Sequence, residues 1–242
     1  MIRTLVAGAA LACIVAAPSS AQDRPDFTGV WTTYRNPAAL GGTNRGGSRP
    51  SLTPLAQQKV DAYQAVTQGT NHSPGAYCVG GGMPGSMLGS GGYPMEILQH
   101  PDQINIVYEA HKEIRRVYLR ELDIDHEEIF PERNGFSVGY WEGDTLVVET
   151  DRLVEQVDTA YPHSEQAKIV ERYSMTTEDG RRVLTAEMTM TDPLFLTEPF
   201  TTVKRWQEVP GGRLLNYECT EPQWLDIVDR LLAGEEIGYE GE

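Results

Sequence analysis

Past Pro94 the chain repeats one short pattern: a run rich in β-branched and aromatic residues, closed by a tight-turn signal. The runs are 95–99, 103–109, 114–120, 135–141, 145–150, 168–175, 182–191, 200–207 and 214–219. Strict alternation marks several of them. Leu184, Ala186, Met188 and Met190 fall on one face, and Val183, Thr185, Glu187 and Thr189 on the other. Hairpin chemistry joins them, as Glu142-Gly143-Asp144, Glu178-Asp179-Gly180 and Pro210-Gly211-Gly212. With a first strand around Asp26-Phe27-Thr28-Gly29-Val30-Trp31-Thr32, the count is about nine or ten. No βαβ rhythm occurs, which excludes a dinucleotide-type fold.

Strands joined in sequence by tight turns leave two open edges, and closure into a ring removes both. The sequence therefore predicts a mostly β, antiparallel up-and-down barrel. One helix follows the first strand: Ser51-Leu52-Thr53-Pro54 starts it, and Leu55, Lys59, Ala62 and Val66 share a face. A second, amphipathic helix at 222–233 carries Trp224, Ile227, Val228, Leu231 and Leu232. Residues 36–50 and 69–93 read as loop; Gly80 to Gly92 alone holds seven glycines and one proline. A barrel of this strand number has room for one small ligand.

The first residues have the parts of an export leader: Arg3, an apolar stretch from Leu5 to Ala17, and Ser19-Ser20-Ala21 before Gln22. The apolar stretch is shorter than the roughly 20 residues that span a bilayer. The expected organisation is a leader at 1–21, one barrel domain at 22–233 and an acidic tail at 234–242, in the periplasm or outside the cell and not inserted in a membrane. Twenty Lys and Arg stand against 35 Asp and Glu, a net charge of −15. That balance offers no counter-charge to nucleic acid or an anionic membrane, and both are excluded as partners. With Cys13 in the leader, Cys78 and Cys219 remain, and an oxidising compartment predicts that they pair; two buried thiols are the alternative.

Gly29-Val30-Trp31 in the first strand resembles the G-x-W signature of lipocalin-like (calycin) barrels. The resemblance implies a Trp packed across the barrel base under an Arg from a late strand, for which Arg205 and Arg213 are the candidates. A second likeness spans nearly the whole chain past the leader. Asp26-Phe27-Thr28-Gly29-Val30-Trp31, Asn134-Gly135-Phe136-Ser137-Val138-Gly139-Tyr140-Trp141-Glu142-Gly143-Asp144-Thr145-Leu146-Val147-Val148, and Pro162-His163-Ser164-Glu165 followed by Glu171-Arg172 resemble a family of secreted bacterial proteins. That likeness implies export and carries no activity with it.

Two segments concentrate groups able to do chemistry. Tyr108-Glu109-Ala110-His111-Lys112-Glu113-Ile114-Arg115-Arg116 has two readings. As a hairpin turning at Ala110, it puts His111 at a loop tip and Glu109 across from Arg115 or Arg116. As a continuous strand it lines Glu109, His111, Glu113 and Arg115 along one face, while Tyr108 and Arg116 share the parity of Ile106 and Ile114. A His and a carboxylate in a low-dielectric lumen form an acid/base pair; on a solvated face they are an ordinary ion-pair cluster. Tyr161-Pro162-His163-Ser164-Glu165 is the second segment. Adjacent residues on a strand point apart, so it is no triad. It is either a loop fixed by Ser164 or a single acid/base, His163, oriented by Glu165.

The catalytic candidates are thus His163, Glu109 and His111, and the ligand-binding candidates Tyr108, Arg116, Trp141 and Tyr161. No metal or cofactor is expected. His72, His100, His111, His126 and His163 are scattered, Asp123-Ile124-Asp125-His126-Glu127-Glu128 lacks the EF-hand glycine and spacing, and no phosphate loop follows a strand. The leading function is a barrel that binds a small, largely apolar or aromatic molecule; its rival is a cofactor-independent lyase, isomerase, hydratase or hydrolase in the same cavity. Mass spectrometry of envelope-fraction protein is expected to find a chain starting at Gln22. An intact Met1 in the cytoplasm contradicts the leader.

Overall fold

The structure, a computed structural model, describes residues 24–34, 49–89, 92–119, 128–157 and 160–234. The leader, most of the loop at 36–50, His126 with the acidic run 123–127, the Trp224 side chain and the tail past Gly234 lie outside the described residues.

Nine strands close into a barrel in sequence order: β1 (Gly29–Thr33), β2 (Met95–Gln99), β3 (Gln103–Tyr108), β4 (Ile114–Tyr118), β5 (Phe136–Glu142), β6 (Thr145–Asp151), β7 (Lys168–Glu178), β8 (Arg181–Thr191) and β9 (Phe200–Glu208). β9 returns to pair with β1. The run at 214–219, expected as a strand, is not one: the ring is complete without it and no edge remains for it to join.

Eight neighbouring pairs are antiparallel and one, β4 with β5, is parallel. The barrel is thus mostly antiparallel, as expected, and the reason for its one parallel pair is parity. Strands that alternate in direction close only in even numbers, so a ring of nine needs a parallel neighbour. Parallel neighbours need a crossover of a dozen or more residues, and the connection 119–135 is long enough to provide it.

The register divides the barrel into two ends. The starts of β1, β3, β6 and β8 meet the ends of β2, β4, β5, β7 and β9 at the base. At the base Trp31 is fully buried and its Nε1 donates to Phe27 O at 2.9 Å. The Arg182 guanidinium stands 5.3 Å from the Trp31 ring. Neither Arg205 nor Arg213 takes that place. On β9 the inward positions are Phe200, Thr202, Lys204 and Trp206, so Arg205 points outward over Tyr34, at 4.4 Å, and pairs with Glu178; Arg213 is exposed beyond β9. Arg182 shares the inner parity of Leu184. A closed barrel with this Trp–Arg stack is consistent with the calycin plan.

The opposite end, the mouth, is dressed by the insertion between β1 and β2. Helix α1 (Pro54–Thr67) begins where Thr53 Oγ1 accepts from Ala56 N at 3.3 Å. Its buried face is Ala56 and Val60, not the expected Leu55 and Val66, which are 46% and 72% exposed. Thr53 fixes the helix's rotation: its N–H donates to Phe195 O and its hydroxyl to Leu194 O. The Gly-rich stretch expected as loop contains a short helix, α2 (Gly82–Leu88), with Met83 and Met87 sunk into the barrel core beside Leu153, Met188 and Met190. Helix α3 (Thr220–Leu232) follows the barrel. No described helix is long and apolar enough to cross a membrane.

Cys78 and Cys219 form a disulfide, their Cα atoms 5.7 Å apart. It joins the insertion, before β2, to the segment after β9. Cross-linking across so long a loop constrains the unfolded chain by up to about 4–5 kcal/mol in the chain-entropy model. Cys219→Ser is expected to lower urea-unfolding stability by up to that amount, and alkylation of unreduced, denatured protein lacking the leader to modify no cysteine. Two alkylated thiols refute the bridge.

Candidate functional site

Inside the barrel, just below the mouth, sits a polar cluster in an otherwise apolar core. Arg115 of β4 and Glu171 of β7 form an ion pair with both side chains fully buried. Arg115 Nη1 donates to Glu171 Oε1 at 2.9 Å, and Nη2 to Glu171 Oε2. Ser137 Oγ of β5 accepts from Nε at 3.1 Å, and Thr150 Oγ1 of β6 accepts from Nη2 at 2.8 Å. Tyr173 Oη donates to Glu171 Oε1 at 2.7 Å. Burial opposes the charge on Arg115, but the Glu171 carboxylate outweighs it and holds the guanidinium pKa above its ordinary value.

Above this cluster, β3 and β4 are joined by a tight turn. His111 and Lys112 both take left-handed backbone there, with φ of 57° and 55°. Such conformations cost non-glycine residues about 1–2 kcal/mol each, so the turn needs outside support. Glu109 Oε2 accepts from Leu215 N at 2.6 Å, and Tyr217 packs 4.9 Å from the His111 ring. Glu113 accepts from Gly81 N at 3.1 Å, Gly82 N at 3.0 Å and Ser86 Oγ. The glycines permit this approach: a Cβ at Gly80 falls 2.2 Å from Glu113 Cδ, and one at Gly82, where φ is +60°, falls 2.5 Å from Arg133 O.

Between the turn, the glycine segment and residues 155–157 lies a cavity of about 540 Å³, within the range of small-molecule sites. Tyr77, Tyr93, Tyr108, His111, Glu113 and Arg133 line it. Tyr108 Oη and His111 Nδ1 are buried with no hydrogen-bond partner among the described residues. Burial pushes the Tyr108 hydroxyl pKa up, and the Arg115 guanidinium beside it draws it partly back. Tyr108 thus separates the cavity from the ion pair below.

The sequence candidates divide sharply. Tyr108 and His111 are at the cavity. The hairpin reading of 108–116 is the one realised, and the turn resets the parity count: Arg115 points inward and Arg116 is exposed on the outer face. Glu109 is buried against the 214–219 segment, facing neither arginine. His163 is fully buried, its Nδ1 bonded to Tyr161 O at 2.9 Å, and it does not line the cavity. Glu165 is exposed and does not orient it. Ser164 Oγ donates to Asp192 Oδ1 at 2.8 Å and accepts from Gln166 N, so this segment fixes a loop. Tyr161 packs on Phe200, at 6.0 Å. Trp141 lies at the base, 5.5 Å from Phe27, beside a shallower hollow of about 310 Å³.

Glu113, Arg133 and the buried Glu171 were not among the candidates. Glu113 shares its run with Glu109, and nothing local separates the two; Arg133 lies in the crossover, where no periodicity marks it. Another unforeseen group is Lys204, inward on β9, whose Nζ donates to Leu88 O at 3.4 Å and stands 6.0 Å from the Trp206 ring. Burial lowers its pKa.

No protein-family model matches the chain, and no curated protein matches its sequence.

Removing one member of a fully buried ion pair typically costs 3–5 kcal/mol, because the other charge is left stranded. Arg115→Met is expected to destabilise the barrel by about that amount in urea unfolding, and Arg115→Met with Glu171→Leu to recover most of the loss. A single substitution costing under about 1 kcal/mol contradicts a structural role for the pair.

Proposed function

We propose that this protein is an exported barrel that holds a small, largely apolar or aromatic molecule in the cavity at its mouth, with Tyr108 and His111 in its lining. The observation that carries the reading is a cavity of about 540 Å³ whose lining brings Tyr77, Tyr93, Tyr108 and His111 together. Tyr77, Tyr93 and Val79 supply apolar wall. The disulfide supports the extracytoplasmic setting.

His111 favours a second reading. A buried, unpartnered imidazole nitrogen beside the same cavity suits an acid/base group. Such an enzyme uses His111 with Tyr108; Glu109 and His163 are engaged elsewhere.

A Cβ placed on Gly85, which lines the cavity, meets nothing within 4 Å. Gly85→Phe is therefore expected to fill the cavity with the fold intact by circular dichroism. Native mass spectrometry of protein from its own host is expected to show a co-purified small molecule on the unsubstituted chain and none on the variant. The same adduct on both, or on neither, counts against the proposal.

A further inference from the structure

We infer that the occupant of the mouth cavity is a carboxylic acid, its carboxylate held by Arg133 and its apolar or aromatic body by Tyr77 and Tyr93. This rests on the proposed binding function and adds the chemistry of what is bound. The carboxylates around the cavity, and the acceptors nearest Arg133, are already engaged. Glu113 takes two backbone N–H groups and the Ser86 hydroxyl. Glu155 pairs with Lys59 at 2.6 Å. Gly80 O takes both Nε and Nη2 of Arg133, at 3.1 and 2.7 Å, and Gln156 Oε1 takes Nη2 at 3.2 Å.

Arg133 has no carboxylate within salt-bridge distance among the described residues, and its Nη1 meets no acceptor there. A guanidinium without a counter-ion selects an anion, and its planar fork suits a carboxylate. A chain of net charge −15 repels anions at long range. Selection therefore falls on this one local cation.

The test is an NMR titration of the full chain lacking the leader with benzoate and with benzyl alcohol, a neutral probe of similar size. Benzoate is expected to bind more tightly by roughly tenfold, the scale of one charge-assisted hydrogen-bonded pair. Arg133→Gln is expected to remove that advantage and leave benzyl alcohol within about twofold. If Arg133→Gln unfolds the chain, Arg133→Lys is read instead, with a several-fold loss for benzoate alone expected. Equal binding of the two probes, or equal losses in the variants, overturns the carboxylate and leaves the pocket reading standing. Neither probe shifting any cavity resonance overturns both.

Discussion

A guanidinium and a carboxylate sealed from water constrain this barrel more than any apolar contact in it. Arg115 and Glu171 are tolerated in the core because the guanidinium makes four hydrogen bonds there, two of them to the carboxylate, and the four residues involved come from four successive strands, β4 to β7. A one-residue slip in any of them turns its member of the cluster to the outside and strands a charge. The cluster also lies across the parallel seam between β4 and β5, whose ladder pairs only Val117 with Ser137 and Tyr118 with Val138. Ser137 belongs to both, so the shortest ladder in the ring is reinforced where backbone pairing is least.

The mouth is built on that foundation by a different logic. Apolar strands cannot themselves form a polar cavity, so it is assembled from segments laid over the ring: the β3–β4 turn, the glycine segment and the crossover that brings Arg133. Glu113 fastens the first two and Arg133 the last two, each through backbone groups of residues 80–82. Methionines of α2 then close the lumen below. The lumen, which strand count alone suggested as the binding space, is core; the space for a ligand is displaced to the rim.

The ring was legible in the sequence because a period of two is a local property. Leu184, Ala186, Met188 and Met190 announce their inner face without help from any other segment, and all four are buried. The turn at 109–113 was legible as an alternative only, since charge runs fit a strand face or a hairpin equally well. Choosing the strand parity led to Arg116 and away from Arg115. The run 214–219 has strand-like composition, but a closed ring offers it no partner, and that is a property of the whole barrel. The glycines of 80–92 signalled loop because their burial depends on Glu113 and Arg133, residues far away in sequence. Cys78 and Cys219 were paired correctly by compartment chemistry alone.

That bridge divides the strands unevenly. β2 to β9 lie between its two cysteines, inside one covalent loop, and β1 alone lies outside. β1 is also the strand that completes the ring, pairing Trp31 with Met95 on one side and with Glu208 on the other. Without the bridge, the contact between Trp31 and Glu208 joins nearly the two ends of the described chain. With it, the effective path runs from residue 31 to 78, through sulfur, and back from 219 to 208. Shortening the path about threefold lowers the entropy of closure by on the order of 1 kcal/mol. The disulfide at the rim thereby acts as a splice, turning the most distant pairing in the barrel into one of moderate range.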